Sequence, residues 1–427
     1  MQTSSQSGPA ANLTPPDPRW LAQRAGDDVP GGLAAQGRGN VLKLALAQAL
    51  AGANSTVIYA TGAIVGDALA PSRALATLPI TVFVVGMAAS TLPAGMIARR
   101  HGRRTAFLCG TGGGVLAGLL AAAAVMVGSF WLFCVATLLG GAYAAVVLTF
   151  RFAAADCVPA GQRARALSAV MAGGIASGVI GPELVTYTMT LLPAALFAAT
   201  YLAQAAVAAL SAAILSGVRL PRPAAGETEA PGGRPLGVIA RQPRFIAAVV
   251  GGAVAYLIMN FLMTAAPLAM HICGLSQGTA DRGIEWHVIA MYAPSFFTGR
   301  LITRLGAGRV VSGGLLLLAA AAIVGLLGVD VVHFWLSLIL LGMGWNFGFL
   351  GASSLVLECH RPEENTRVQS FNDFMVFGTM VIGSFLSGSL LTAYGWSMVL
   401  ALSFVPLALA VTVLAATARS RQLRAVA

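Results

Sequence analysis

Residues 95–104 read Gly95-Met96-Ile97-Ala98-Arg99-Arg100-His101-Gly102-Arg103-Arg104, a tight basic turn set between two long apolar runs. A second copy lies half a chain later, Gly299-Arg300-Leu301-Ile302-Thr303-Arg304-Leu305-Gly306-Ala307-Gly308. Gly299, Arg304 and Gly306 match Gly95, Arg100 and Gly102 at a constant offset of 204. The same helix, basic turn and helix in both halves predicts a duplicated membrane bundle.

Composition agrees. The 427 residues are 57% hydrophobic and only 10% charged, against roughly 25% charged in a soluble domain. Several apolar runs exceed the ~18 residues that mark a membrane-spanning helix. The ~10-residue alternating segments of a transmembrane barrel do not occur. The class is all-α and polytopic, with twelve spans at 41–65, 74–98, 105–127, 129–153, 165–188, 191–215, 245–269, 285–304, 308–328, 332–357, 370–392 and 395–417. Spans three and four, parted only by Gly128 and its neighbours, form a tight hairpin. Residues 1–39 lack the basic start and early apolar core of a signal peptide and read as a disordered cytoplasmic tail. Residues 217–244, with Pro221, Pro223, Pro231 and Pro235, read as a cytoplasmic linker between six-helix halves at 40–216 and 245–417, and 418–427 as a cytoplasmic tail.

The net charge of +11 could point to nucleic acid or to acidic lipid. Its distribution decides. With the N-terminus inside, 24 of the 26 Lys and Arg residues fall on seven short inner segments, leaving Arg73 and Arg282 outside. The positive-inside rule then places both termini in the cytoplasm of a bacterial inner membrane and leaves no single patch for a nucleic acid. The five cysteines are scattered and imply no disulfide framework, and no metal-ligand spacing is present.

The halves match elsewhere at an offset of 202. Leu138-Leu139-Gly140 precedes Tyr143, Asp156, Cys157, Arg165 and Ser168, and Leu340-Leu341-Gly342 precedes Trp345, Glu358, Cys359, Arg367 and Ser370. Twelve spans in two halves, a long inner linker and the repeated Gly-x-x-x-x-Arg-x-Gly turn resemble the major facilitator superfamily over roughly residues 40–417. The resemblance makes the turn residues Gly95, Arg99, Arg100, Gly102, Arg103, Arg104 and Arg304 part of an inner gate. The family pattern carries Asp where this chain has Arg99, so Asp156 and Glu358 are the candidates to supply the negative partner. Gly174, Gly178, Gly181 and Pro182 resemble, in part, the glycine-proline motif of proton-coupled antiporters, and equally suit close helix packing. Residues 286–299 and 369–374 look similar to a largely unassigned bacterial branch, for which riboflavin importers are one candidate neighbour.

The resemblance implies a solute site near the midplane, lined by spans 1, 4, 7 and 10. Polar side chains at helical spacing should face it, because they are costly against hydrocarbon. Gln48, Ser55 and Tyr59 share a face of span 1, with Asn54 beside it. Tyr256, Asn260 and Met263 share a face of span 7. Tyr143 and its repeat-mate Trp345 give each half an aromatic, and Asn346 follows. Aromatics with a few amides suit a flat or amphipathic organic solute. Asp373, Glu183 and His287 are the proton-coupling candidates, since a buried carboxylate or imidazole can load and release a proton. Arg151 reads as an inner-gate residue or an anion ligand.

The expected function is secondary transport of a small organic solute by a monomer, driven by a proton gradient and without cofactor, with import favoured and a drug or metabolite efflux antiporter as the alternative. No nucleophile elbow, His-Glu-x-x-His or Walker loop suggests an enzyme or an ATP-driven pump. A membrane sensor would carry a larger soluble output domain.

Overall fold

The computed structural model describes residues 31–72, 75, 78–220 and 233–426; residues 1–30 of the expected tail, Arg73 and linker residues 221–232 lie outside the described residues. The first half comprises α1 (Gly31–Leu69), α2 (Leu78–His101), α3 (Arg103–Val127), α4 (Phe130–Leu148), α5 (Phe150–Asp156), α6 (Arg163–Thr188) and α7 (Ala198–Ser216). A short α8 (Leu236–Ala240) leads into the second half, α9 (Pro243–Ile272), α10 (Gln277–Tyr292), α11 (Ser295–Leu305), α12 (Ala307–Leu327), α13 (Val331–Leu357), α14 (Asn365–Leu402) and α15 (Phe404–Val426). Ten helical segments among the described residues are long and apolar enough to cross a membrane. Two further legs complete the twelve. One is α10 with α11, broken at Ala293-Pro294; the other is the first part of α14, which turns at Gly395 (φ 78°) into the last leg.

Several span boundaries differ from expectation, three of them for local reasons, and α15 runs on to Val426 rather than ending at 417. Helix α1 begins at Gly31 rather than near Val41. Its early turns are docked: Asn40 Nδ2 donates to Arg219 O (2.7 Å), and Arg219 N donates back to Asn40 Oδ1 (3.1 Å). Helix α7 starts at Ala198 rather than 191, because Pro193 offers no N–H and Phe197 turns with φ 69°. The eighth leg starts at Gln277, where Ser276 caps it through Thr279 N, rather than at 285. The eleventh starts at Asn365 rather than 370. The tight hairpin between spans three and four is as expected: Gly128 ends α3 in a left-handed conformation, and Ser129 caps α4 through Leu132 N.

In each half, helices pack through short contacts between neighbouring legs: α1 on α6 and α7, α2 on α4, α9 on α13 and α14, α12 on α13. The halves meet along α2 with α14 and along α6 with α10 and α11. The two basic turns have one backbone. Gly102 has φ 87° and ψ 154°, Gly306 has φ 87° and ψ 146°, and each carbonyl accepts from the amide four residues on, Ala106 or Val310, at 3.3 Å. A side chain at that φ would be strained, so the glycines that mark the repeat in sequence are required by the turn itself.

On the same face, which we term the basic face, the far end of the linker is clamped to the second half. Glu364 is fully buried; its Oε1 accepts from Arg234 N (2.6 Å) and Nε (3.0 Å), and its Oε2 from Arg234 Nη2 (2.7 Å) and Arg361 N (2.9 Å). The hydrogen-bonded Arg234 guanidinium, above all, holds the Glu364 carboxyl down at about 2, against an ordinary 4.5. A depressed carboxyl contributes its stability fully above the unfolded value and loses it as pH falls through the folded one. Replacing Glu364 by Gln should therefore lower the melting temperature at pH 7, with the gap to the parent closing between pH 4.5 and about 2. Melting curves of detergent-solubilised protein across that range check this; a gap independent of pH would refute it.

Candidate transport site

The repeat offset becomes contact at the seam between halves. Arg151 and Ser353 are 202 residues apart, and Arg151 Nε donates to Ser353 Oγ at 3.2 Å. Residues related by the repeat touch only where they flank its two-fold axis, so Arg151 lies on that axis. Around it, matched positions make matched contacts. A Cβ added to Gly95 would stand 2.1 Å from Ser370 Oγ, and one added to Gly299 would stand 2.9 Å from Ser168 Oγ. Gly95 with Gly299, and Ser168 with Ser370, are the pairs singled out by the sequence. The glycines let α2 approach α14, and α11 approach α6, more closely than any side chain would permit.

Arg151 crosses this seam into a socket built by the second half. Nη2 donates to Asp373 Oδ1 at 2.7 Å, and the two side chains are 0% and 1% exposed. Asn372 Nδ2 supports the same carboxylate oxygen at 3.0 Å. The guanidinium lies 4.5 Å from the ring centroid of Phe349 and 4.2 Å from that of Phe152. From its own half it takes a further acceptor. The helix is interrupted at Thr149, between α4 and α5, and Arg151 Nη1 donates to Leu148 O there. A second bridge lies nearer the basic face. Arg103 Nη2 donates to Asp156 (2.6 Å) and to Gln369 of α14 (2.6 Å), and Asn365 also donates to Asp156 (3.3 Å).

Away from the basic face, α13 continues the stripe from Ser353 to Phe349 and Trp345 at four-residue spacing. The Trp345 ring stacks on Phe349 (5.2 Å, 19°) and meets Tyr256 and Tyr292 edge-on (5.5 and 5.8 Å). Tyr256 is edge-on to Phe349 and Phe377 as well. Tyr292 lies across the seam on Gly174, where a Cβ would stand 2.3 Å from its ring. Trp345 Nε1 and, one turn beyond Tyr256, Asn260 Nδ2 are buried without a hydrogen-bond partner among the described residues. The arrangement, which we term the shelf, is a closed stack of buried aromatic rings with N–H donors beside a buried ion pair.

The Major Facilitator Superfamily profile matches residues 44–294 and 286–425. The chain belongs to that superfamily. It is 45% identical over 384 residues to the riboflavin transporter RfnT of Brucella anthropi, covering 87% of this chain and 96% of the relative. Its fold is shared with the human organic anion transporter MFSD10 (TM-score 0.70, 17% identity, 88% of this chain and 99% of the other). It is shared also with FucP (TM-score 0.65, 15% identity, 90% and 99%). The protein is a multi-pass membrane transporter of a superfamily whose members carry small-molecule solutes.

Within this superfamily fold, the residues flagged by sequence separate into two groups. Tyr256 and Trp345 come together at the shelf, with Asn260 one turn on from Tyr256 along α9 and Tyr59 of α1 within electrostatic reach of Tyr256 and Tyr292. Arg151 and Asp373 come together as one pair. Several others turn into their own halves. Asn54 accepts from Gln204 of α7 and donates to Gly140 O (3.5 Å). Tyr143 packs its ring on Gly114 of α3, and Gln48 lies beside Gly52 near Ser177 at the contact of α1 with α6. Asn346 is a strut: it donates to Met291 O (2.6 Å) and Ser295 Oγ (2.7 Å) and accepts from Thr298 (2.7 Å), bracing the break at Pro294. His287 Nδ1 donates to Leu338 O at 2.7 Å inside the second half. Glu183 is exposed on α6. Glu358 pairs with Arg244, outside the basic turns, whereas Asp156 pairs with Arg103 of the first basic turn. Arg99, Arg100, Arg104 and Arg304 are exposed on the basic face, and Arg99 has Arg100 and Arg367 as charged neighbours. Gly174, Gly178 and Gly181 each meet a side chain (Tyr292, Val288 and Thr56), so packing accounts for them. Sequence reasoning passed over Phe349, Tyr292, Ser353 and Gln369. Ser353 was reachable through the offset from Arg151, and Phe349 through its four-residue spacing from Trp345.

Two outcomes follow from the seam. Gly95→Ala should cost about 1–3 kcal/mol through overpacking, and adding Ser370→Gly should restore the melting temperature, since Ser370 supplies the two nearest atoms; a double variant no more stable than the single would remove that cause. Asp373→Ala leaves Arg151 charged and unpaired, at a cost of about 3–5 kcal/mol, while the double variant Arg151→Met with Asp373→Leu should lose less than either single truncation. Denaturant unfolding of the three variants measures the difference.

Proposed function

We propose that the protein is a proton-coupled secondary transporter that imports riboflavin, or a solute of the same flat heteroaromatic chemistry, by alternating access. The observation that supports this best is the aromatic shelf with unpartnered N–H donors at Trp345 and Asn260, in a chain that aligns with nearly the whole of a riboflavin transporter. A fused-ring solute offers a face for stacking and ring carbonyls or nitrogens to accept from those donors. Tyr59 and Tyr292 would close the far side of the shelf.

On this reading the basic face is the cytoplasmic face of the inner membrane, both termini lie there, and a single chain forms the pathway between two six-helix bodies, 40–216 and 245–417. The Arg151 socket and the Arg103 bridge hold the cytoplasmic side shut. Asp373 carries the proton. Its Oδ2 has no partner among the described residues and is where a proton adds; protonation removes the charge that holds Nη2 of Arg151. The halves then part on the basic face, and loss of the proton re-forms the pair. The polar residues turned into the half-bundles, including Gln48, Asn54, Tyr143, Asn346 and His287, keep each body rigid while it rocks.

Labelled riboflavin uptake into cells unable to make the vitamin, with and without this chain, tests the reading. Uptake above the control is expected. Trp345→Ala should raise KM by about tenfold through loss of stacking and the N–H donor. Asp373→Asn should abolish accumulation against a gradient while sparing exchange. Uphill transport unimpaired in the Asn variant would sink the proton role, and accelerated loss of preloaded riboflavin would replace import by efflux.

A further inference from the structure

We propose that Phe349 is the positioning residue through which an occupied site loosens Arg151. The inference rests on the solute reading above and adds to it how binding reaches the gate. One face of α13 carries three things in succession: Trp345 of the shelf, Phe349, and Ser353 of the socket. The Phe349 ring is shared between the two sites. It stacks on Trp345 at 5.2 Å, makes a T-shaped contact with Tyr256 at 5.1 Å, and carries the Arg151 guanidinium 4.5 Å from its centroid. A ring is a rigid plate, so it cannot tilt toward one neighbour without tilting away from the other.

The second ring beside the guanidinium does not compete for this role. Phe152 adjoins Arg151 in sequence and travels with the first half, so its contact at 4.2 Å does not resist separation of the halves. Phe349 belongs to the second half, and its contact does. The repeat also makes the arrangement one-sided, since the residue matched to Phe349 is Val147, which has no π-face. Together Ser353, Asp373 and Phe349 make the second-half socket; of these Phe349 makes ring contacts with the shelf, and Tyr256 lies within electrostatic reach of Asp373 and Arg151. A flat solute stacking at Trp345 draws on the face that Phe349 now uses. Phe349 re-stacks, its face leaves the guanidinium, and the cation–π attraction across the seam is lost. Asp373 then holds Arg151 with less support, and the pair opens at a proton occupancy that would otherwise leave it closed.

The test uses the full chain with its five cysteines replaced and spin labels at Gln162→Cys and Glu363→Cys, exposed positions in corresponding turns of the two halves on the basic face. Three readouts are taken: label separation, riboflavin binding by quenching of its fluorescence, and riboflavin uptake. In the parent, riboflavin should lengthen the separation. In Phe349→Leu the longer separation should appear without solute and no longer respond to it. Binding should stay within about threefold of the parent, while uptake falls more than about tenfold. Phe349→Tyr, which keeps the ring face, should restore the response and the uptake. A Leu variant with parental separations and uptake would overturn the proposal. So would a Leu variant whose binding falls as far as its uptake, because Phe349 would then be a wall of the site and nothing more. Absence of quenching by the parent would overturn the riboflavin reading instead, while the solute-free separations would still decide the link from Phe349 to Arg151.

Discussion

A guanidinium does not shed its proton in a protein and offers five N–H donors, so taking Arg151 out of water obliges its surroundings to be complete. Most of what surrounds it belongs to the other half of the chain. Asp373 and Ser353 accept from it, Phe349 faces it, and Leu148 O is free to accept because the helix is interrupted at Thr149. The pairing of halves on the basic face is therefore specific. Two apolar helix bundles in lipid have no hydrophobic reason to prefer one register over another. A buried cation with its acceptors three ångströms away does prefer one, because any slip strands a charge. The same requirement explains the small residues flanking it. Gly95 and Gly299 bring α2 to α14 and α11 to α6 near enough for the socket to close.

Much of the fold was legible in the sequence because membrane crossing writes itself in long apolar runs, and the duplication writes itself in a constant offset. The two glycine turns were legible twice over, as repeat markers and as positions whose backbone excludes a side chain. The ends of legs were less so. Helix α1 runs earlier than its apolar core because Asn40 and Arg219 hold each other, a contact between residues 179 apart. The eighth leg combines a polar start at Gln277 with a break at Pro294, and neither looks like a continuous apolar run.

The site was legible as a set of residue types and not as a set of partners. Polar side chains within spans were picked out by cost, but cost does not say which way a helix is turned. Asn346 and Trp345 are adjacent, so they point about 100° apart on α13, one to the brace at Pro294 and the other to the shelf. Asn54 found an amide on α7, a neighbour that nothing in its own span announces. Arg151 and Asp373 were both noticed, each for its own charge. Their pairing spans 222 residues, which is not the repeat offset, so the duplication did not reveal it. The shelf was half visible, since Tyr256 and Trp345 stood out as aromatics while Phe349 had only its four-residue spacing from Trp345 to mark it.

The position of Arg151 also bears on how such a chain can arise. A residue on a two-fold axis meets its own copy when the two halves are identical. Two arginines there would face each other as like charges in a medium that screens poorly, and two serines would leave the carboxylate of Asp373 without a cation. The lock is thus unavailable to a symmetric pair of half-length ancestors. It needs two halves in which position 151 and position 353 have drifted to different residues, so duplication alone does not produce the ion pair now built at their junction.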